Sequence, residues 1–108
     1  MDFQTAVLEG IKLAPFQVFG CFVDSSSEEG ACVMGTALLG LLQNMYKVSQ
    51  MRPWAVYFEL LAAFPVLESR RSCPECGASD LAAYIGVHLN DSHRWSRERI
   101  AQWIEPVD

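Results

Sequence analysis

Two cysteines and two histidines in the last third of the chain constrain its folding more than any other feature. Cys73 and Cys76 are separated by two residues, His88 follows after eleven more and His93 after a further four, giving C-x2-C-x11-H-x4-H. Pro74 lies between the cysteines and Gly77 follows them, residue types that bend a backbone so that both sulfurs can face one point. Every interval lies close to the C-x2–4-C, about 12 residues, H-x3–5-H of Cys2His2 zinc sites. Two thiolates and two neutral imidazoles would cancel the charge of Zn²⁺ and fill its tetrahedron, leaving no position for a substrate water, so the expected zinc is structural. The cysteine pair is the stronger half of the pattern. His93 sets a condition, because five positions beyond His88 on an undistorted helix is about 140° round the axis. A helix carrying His88 must therefore end or loosen between Leu89 and Ser92, where Asn90 and Asp91 suit a turn. The competing view treats the cysteines as incidental thiols and the histidines as surface or capping residues.

A length of 108 residues suits one domain. We read 1–108 as that domain, with a helical core over 1–68 and a zinc-binding subdomain over 69–108. With 51% hydrophobic and 19% charged residues and a mean hydropathy of +0.14, the chain is too apolar to stay disordered, and it has apolar surface to offer a partner. A net charge of −5 argues against holding nucleic acid mainly by neutralising phosphates. The cations are unevenly placed: residues 1–68 carry three basic and seven acidic side chains, whereas 69–108 carry Arg70, Arg71, Arg94, Arg97 and Arg99 against six acids. No apolar run reaches the roughly 18–20 residues of a membrane span. Met1-Asp2-Phe3-Gln4 has no basic n-region. The expected setting is cytoplasmic and reducing, where paired cysteines bind metal more often than they form disulfides.

The apolar pattern predicts a mainly α protein. Phe3, Val7, Ile11 and Ala14 mark a first helix that Pro15 stops. Phe16 to Val23, with a bend at Gly20, reads as a short strand or extended segment. Ser25 to Gly30 is a polar loop suited to cap a second helix over 31–45, whose small residues Ala31, Gly35, Thr36, Ala37 and Gly40 invite close packing. Pro53 begins a third helix, Trp54 to Phe64, apolar on nearly every side except Glu59 and so expected at the centre of the core. After the charged turn Glu68 to Arg71 and the cysteine knuckle, Ser79 is placed to cap a helix from Asp80 to about Leu89, and Ser96 to cap a last one over Arg97 to Ile104. Cys21 and Cys32, in separate apolar settings, read as core residues.

The last two helices with their short connection resemble a helix-turn-helix, in which Arg94, Arg97 and Arg99 would contact nucleic acid or a protein partner. Glu98, Glu105 and Asp108 dilute that basic face, and Trp95, Ile100, Trp103 and Ile104 would serve equally well to pack the terminal helix against the zinc subdomain. No catalytic residue is identified: there is no phosphate loop, nucleophile triad or H-E-x-x-H. His88 to His93, with Asp91 between, looks superficially like a metal-dependent nuclease, but histidines bound to zinc cannot act as general bases. The leading expectation is a zinc-stabilised, non-enzymatic interaction or regulatory domain with a protein partner and no small-molecule substrate. A small DNA-binding regulator comes second and a hydrolase third.

His88 to Trp103, HLNDSHRWSRERIAQW, resembles the motif HLND-x-H-x-W-[ST]-R-E-x-IA-x-W of a family of uncharacterised small bacterial and phage proteins that also carry a CxxC knuckle. Upstream, ACVMGTALLG over 31–40 is similar to an A-C-A-L-G-A-A segment of that family, from which it departs at Val33, Met34 and Thr36. The resemblance implies a bacterial or phage origin and no particular activity.

Overall fold

The computed structural model describes residues 1–24 and 29–106. It is mainly helical, with six α-helices and a few short strands among the described residues. Helix α1, Phe3–Leu13, begins where Asp2 accepts a hydrogen bond from the Thr5 amide at 2.7 Å, and it ends at Ala14, ahead of Pro15. Strand β1, Phe16–Gln17, pairs in parallel with β2, Gly30–Ala31, so the extended segment expected near 16–23 is a strand for two residues only. Val23 forms an isolated antiparallel bridge to Ala31, and the bend at Gly20 has φ +83°. The capping role expected of Ser25 to Glu28 lies outside the described residues.

Helix α2 is Val33–Leu42, shorter than the 31–45 its sequence suggested. At its start Ala31 is drawn into the β1–β2 pair and Cys32 takes the cap position. At its end Gln43 adopts the left-handed conformation, φ 55°, and Asn44 caps a separate short helix, α3, Met45–Ser49. Every residue from Val33 to Gly40 is buried. The expected close packing is real: a Cβ added to Gly10 of α1 would lie 1.8 Å from the Thr36 carbonyl oxygen, and one added to Gly40 would lie 1.8 Å from that of Ala6. The two backbones touch, and no larger residue fits at either crossing point.

Helix α4, Pro53–Ala63, starts on proline as expected but is not the central helix. Only Val56 and Leu60 are buried in it, while Trp54 and Phe58 are exposed. Two uniformly apolar helices competed for the centre. The small residues of α2 let α1 close over it, which leaves α4 covered on one side. A 3₁₀ turn, Pro65–Glu68, leads to an antiparallel hairpin of β3, Arg70–Ser72, and β4, Ser79–Leu81. Ser79 is therefore a strand residue paired with Ser72, and the next helix, α5, runs Ala82–Asp91. The last helix, α6, is Arg97–Ile104, with Ser96 Oγ accepting from the Arg99 amide at 3.1 Å.

One apolar cluster contains Phe3, Val7, Leu38 and Leu60 together with Ile85, Leu89, Ile100 and Ile104. Helix α6 packs chiefly on α1 and α5, so Ile100 and Ile104 join it to the helical core and not to the cysteine-bearing segment alone. No helix among the described residues is long and apolar enough to cross a membrane.

Candidate metal centre

The hairpin and α5 bring the four expected ligands together. Cys73 directly follows β3 and is buried, and its amide donates to the Ala78 carbonyl at 2.7 Å. The Gly77 amide donates back to the Cys73 carbonyl at 2.9 Å, and Gly77 has φ +79°, a conformation that glycine adopts without strain. This tight turn places Cys76 at its exposed corner, and the Glu75 amide points at Cys73 Sγ from 3.4 Å. His88 sits in the last turn of α5, which ends at Asp91 with the Ser92 amide bonded to the His88 carbonyl. His93 then leaves the helix, and Arg94 takes a left-handed φ of 58° that swings the chain back towards α6. The break required between Leu89 and Ser92 is present, at the late end of that interval.

The ligand atoms of Cys73, Cys76, His88 and His93 all lie within 4.8 Å of one another. Cys76 Sγ is 3.2 Å from His88 Nε2, and His93 Nε2 is 3.1 Å from His88 Nε2. A tetrahedral zinc with its usual bond lengths would set donor separations of roughly 3.3–3.8 Å. Two imidazole nitrogens and a sulfur converging on one point, at most one proton apart, form a poor hydrogen-bonded cluster and a good donor set for a soft divalent cation. The residues fit zinc, which would be held by all four side chains with the imidazole protons on Nδ1.

The surroundings hold this cluster to the helical core, through residues whose role the spacing alone did not show. Trp95 is almost wholly buried, and its Nε1 donates to Glu75 Oε1 at 3.0 Å, tying the connection before α6 to the knuckle between the cysteines. The Arg99 guanidinium lies 3.5 Å over the Trp95 ring. Asn90, expected as a turn residue, is instead a fully buried helical residue with both ends of its amide used. Its Oδ1 accepts from Gln17 Nε2 at 2.9 Å and from the Val33 amide at 3.1 Å, and its Nδ2 donates to the Val18 carbonyl at 2.9 Å and to Asp91 Oδ1 at 2.8 Å. Asn90 thus caps the N-terminus of α2 from another helix.

Arg97 is the main correction to the sequence reading. Expected as a surface contact, it is 4% exposed. Its Nη1 donates to the Ala14 carbonyl at 2.6 Å and Thr36 Oγ1 at 3.0 Å, and its Nη2 donates to the Pro15 carbonyl at 2.8 Å. The Ala14 carbonyl belongs to the C-cap of α1, where the helix dipole favours a cation, and the Pro15 carbonyl lies just beyond it. Burial pulls the guanidinium pKa down from its ordinary value. Arg97 cannot lead a recognition helix into a groove. Arg94 and Arg99 are exposed, but each is laid over a ring: Arg94 lies 3.8 Å above Phe19, as Arg99 does above Trp95.

Comparison with protein-family models, curated proteins and solved structures gives no match. The chemistry of the centre therefore rests on its own geometry. Cys21 and Cys32, both expected as core residues in separate settings, divide: Cys32 is buried and Cys21 exposed, yet both line one small cavity with Phe22, Val87 and Asp91, of about 90 Å³. Burial pushes the Cys32 thiol up to about 11, which suits a neutral packing group.

Proposed function

We propose that this chain is a zinc-stapled, non-enzymatic interaction domain that binds a protein partner. Zinc at Cys73, Cys76, His88 and His93 would fasten the β3–β4 hairpin to the end of α5. The observation that carries the reading is the closed donor set: four protein ligands of the right chemistry converge within 4.8 Å and leave no coordination position for a reacting water. The exposed aromatic side chains Tyr46, Trp54 and Phe58 supply surface for a partner. The bacterial or phage setting implied by the C-terminal motif belongs to the same reading.

The test is elemental analysis of protein purified without a metal-affinity tag, together with unfolding as a function of free zinc. One zinc per chain is expected, lost in both Cys76→Ser and His93→Ala. Stability should rise by about 1.4 kcal/mol for each tenfold increase in free zinc above the dissociation constant. Metal-free wild-type protein whose stability ignores zinc would overturn the proposal.

A further inference from the structure

The two cysteines and the two histidines of the centre are carried by different segments. Cys73 and Cys76 lie on the knuckle, residues 73–78, between β3 and β4, whereas His88 and His93 lie at the end of α5 and just past it. The knuckle's backbone bonds, from the Cys73 amide to the Ala78 carbonyl and from the Gly77 amide to the Cys73 carbonyl, close it on itself. Among the described residues, a single hydrogen bond joins the knuckle to the rest of the chain without using a ligand side chain of the centre. It runs from Trp95 Nε1 to Glu75 Oε1, 3.0 Å long and spanning twenty residues of sequence.

His93 has the least support from secondary structure. It lies beyond α5, between Ser92 and Arg94 with its left-handed φ of 58°. The chain is fixed again at Trp95, whose amide donates to the Leu89 carbonyl at 3.1 Å and whose carbonyl accepts from Gln17 Nε2 at 2.7 Å. The Trp95 side chain is 8% exposed, with the Arg99 guanidinium over its ring. An indole locked in this way aims its N–H in one direction, and the Glu75 carboxylate stands there.

We infer that Trp95 and Glu75 are positioning residues of the metal centre: their hydrogen bond holds the knuckle against the histidine arm and so sets how tightly the four ligands hold zinc. The inference rests on the reading of Cys73, Cys76, His88 and His93 as a zinc site, and adds what governs its affinity from outside the ligand set. Glu75 stands between the two cysteines, so anchoring its side chain anchors the segment that carries both sulfurs. Trp95 follows His93 by two positions. A bond between these two points orders both halves of the donor set ahead of the ion, which lowers the ordering cost of binding. An indole that merely satisfied its own buried N–H would contribute stability and leave the zinc affinity of the folded chain unchanged.

The experiment measures zinc affinity of the metal-free full chain by competition with a chelator, for wild type, Trp95→Phe, Glu75→Ala, Glu75→Gln and the double variant Trp95→Phe with Glu75→Ala. Circular dichroism of each metal-free protein checks that it is folded, and the visible spectrum of each Co²⁺-loaded protein reports ligand geometry. Trp95→Phe keeps a ring beneath Arg99 and removes the donor, while Glu75→Ala removes the acceptor from an exposed position. Each should weaken zinc binding by about tenfold to 100-fold, as loss of a partner outside the ligand set does, and should alter the cobalt spectrum. The double variant should bind within about threefold of the weaker single variant, because both changes remove one bond. Glu75→Gln keeps an oxygen that accepts from the indole, so it should bind within about threefold of wild type and restore the wild-type cobalt spectrum. If Trp95→Phe unfolds without metal, Glu75→Ala against Glu75→Gln makes the same test. Single variants that bind zinc as wild type does, or losses that multiply in the double variant, would overturn the inference and leave the zinc-stapled domain intact. So would metal-free wild type that is unfolded, since nothing would then be ordered ahead of the ion. Wild type that binds no zinc would instead remove the proposed function, and the inference with it.

Discussion

Replacing Arg97 by methionine separates its two readings more sharply than any other change. If Arg97 served as a surface contact, its loss would change stability by no more than about 0.5 kcal/mol. In the structure it is the donor for four acceptors, the Ala14, Ala31 and Pro15 carbonyls and Thr36 Oγ1, inside the seam between α1, α2 and α6. Methionine fills much of the same volume but donates nothing. The buried Ala14 carbonyl and Thr36 hydroxyl then lose this donor away from water, at about 1–3 kcal/mol each, partly offset because no guanidinium needs to be desolvated. A net loss of about 3–5 kcal/mol is expected, a large share of the ~5–15 kcal/mol that stabilises a domain of this size. At about 4–8 °C per kcal/mol, Tm should fall by roughly 15–30 °C. Arg97→Lys should lie between, since one ammonium cannot reach all of these acceptors together. The assay is thermal and urea unfolding by circular dichroism at saturating zinc, so that metal loss does not contribute. An Arg97→Met protein that melts within a few degrees of wild type would refute the buried-arginine account.

Gly10→Ala should force α1 and α2 apart, because the new methyl meets the Thr36 carbonyl oxygen at 1.8 Å; a loss of about 2–4 kcal/mol in urea unfolding is expected, against a slight gain if the glycine were free. Asn90→Ala leaves the Val33 amide and the Val18 carbonyl without their buried partner and should destabilise by about 2–4 kcal/mol, with faster hydrogen exchange at the start of α2 as its signature. The buried Cys32 thiol, raised from 9.0 to about 11, holds its full contribution below pH about 9 and loses it as pH rises towards 11. Wild type should therefore lose about 2–3 kcal/mol relative to Cys32→Ala across that window, and parallel stability curves for the two proteins would contradict this.

The convergence of Cys73, Cys76, His88 and His93 and the helical class were legible from the chain because both depend on local spacing. Ligands at short intervals can converge on one ion in few ways. Proline at 15 and 53 and serine at 96 act on the backbone immediately beside them. The break after α5 that delivers His93 followed from geometry as well, since no straight helix presents residues five apart on one face.

Other features depended on which surfaces met. The sequence offers α2 and α4 as equally apolar, and only the fit of Gly10 and Gly40 to opposing carbonyls places α2 at the centre and leaves Trp54 and Phe58 outside. Arg97 and Arg99 are two residues apart and chemically identical. On a helix that spacing turns one into the seam and the other onto the surface, and nothing local announces that the open end of α1 waits there to accept the guanidinium's hydrogen bonds. Ser79 and Asn90 suit caps and turns by propensity, but a pairing with Ser72 and three long-range bonds to the amide outweigh that preference. Propensity is a matter of tenths of a kcal/mol per residue, whereas leaving a buried donor or acceptor unpaired costs about 1–3 kcal/mol. Where the two conflict, the contact made by distant parts of the chain decides.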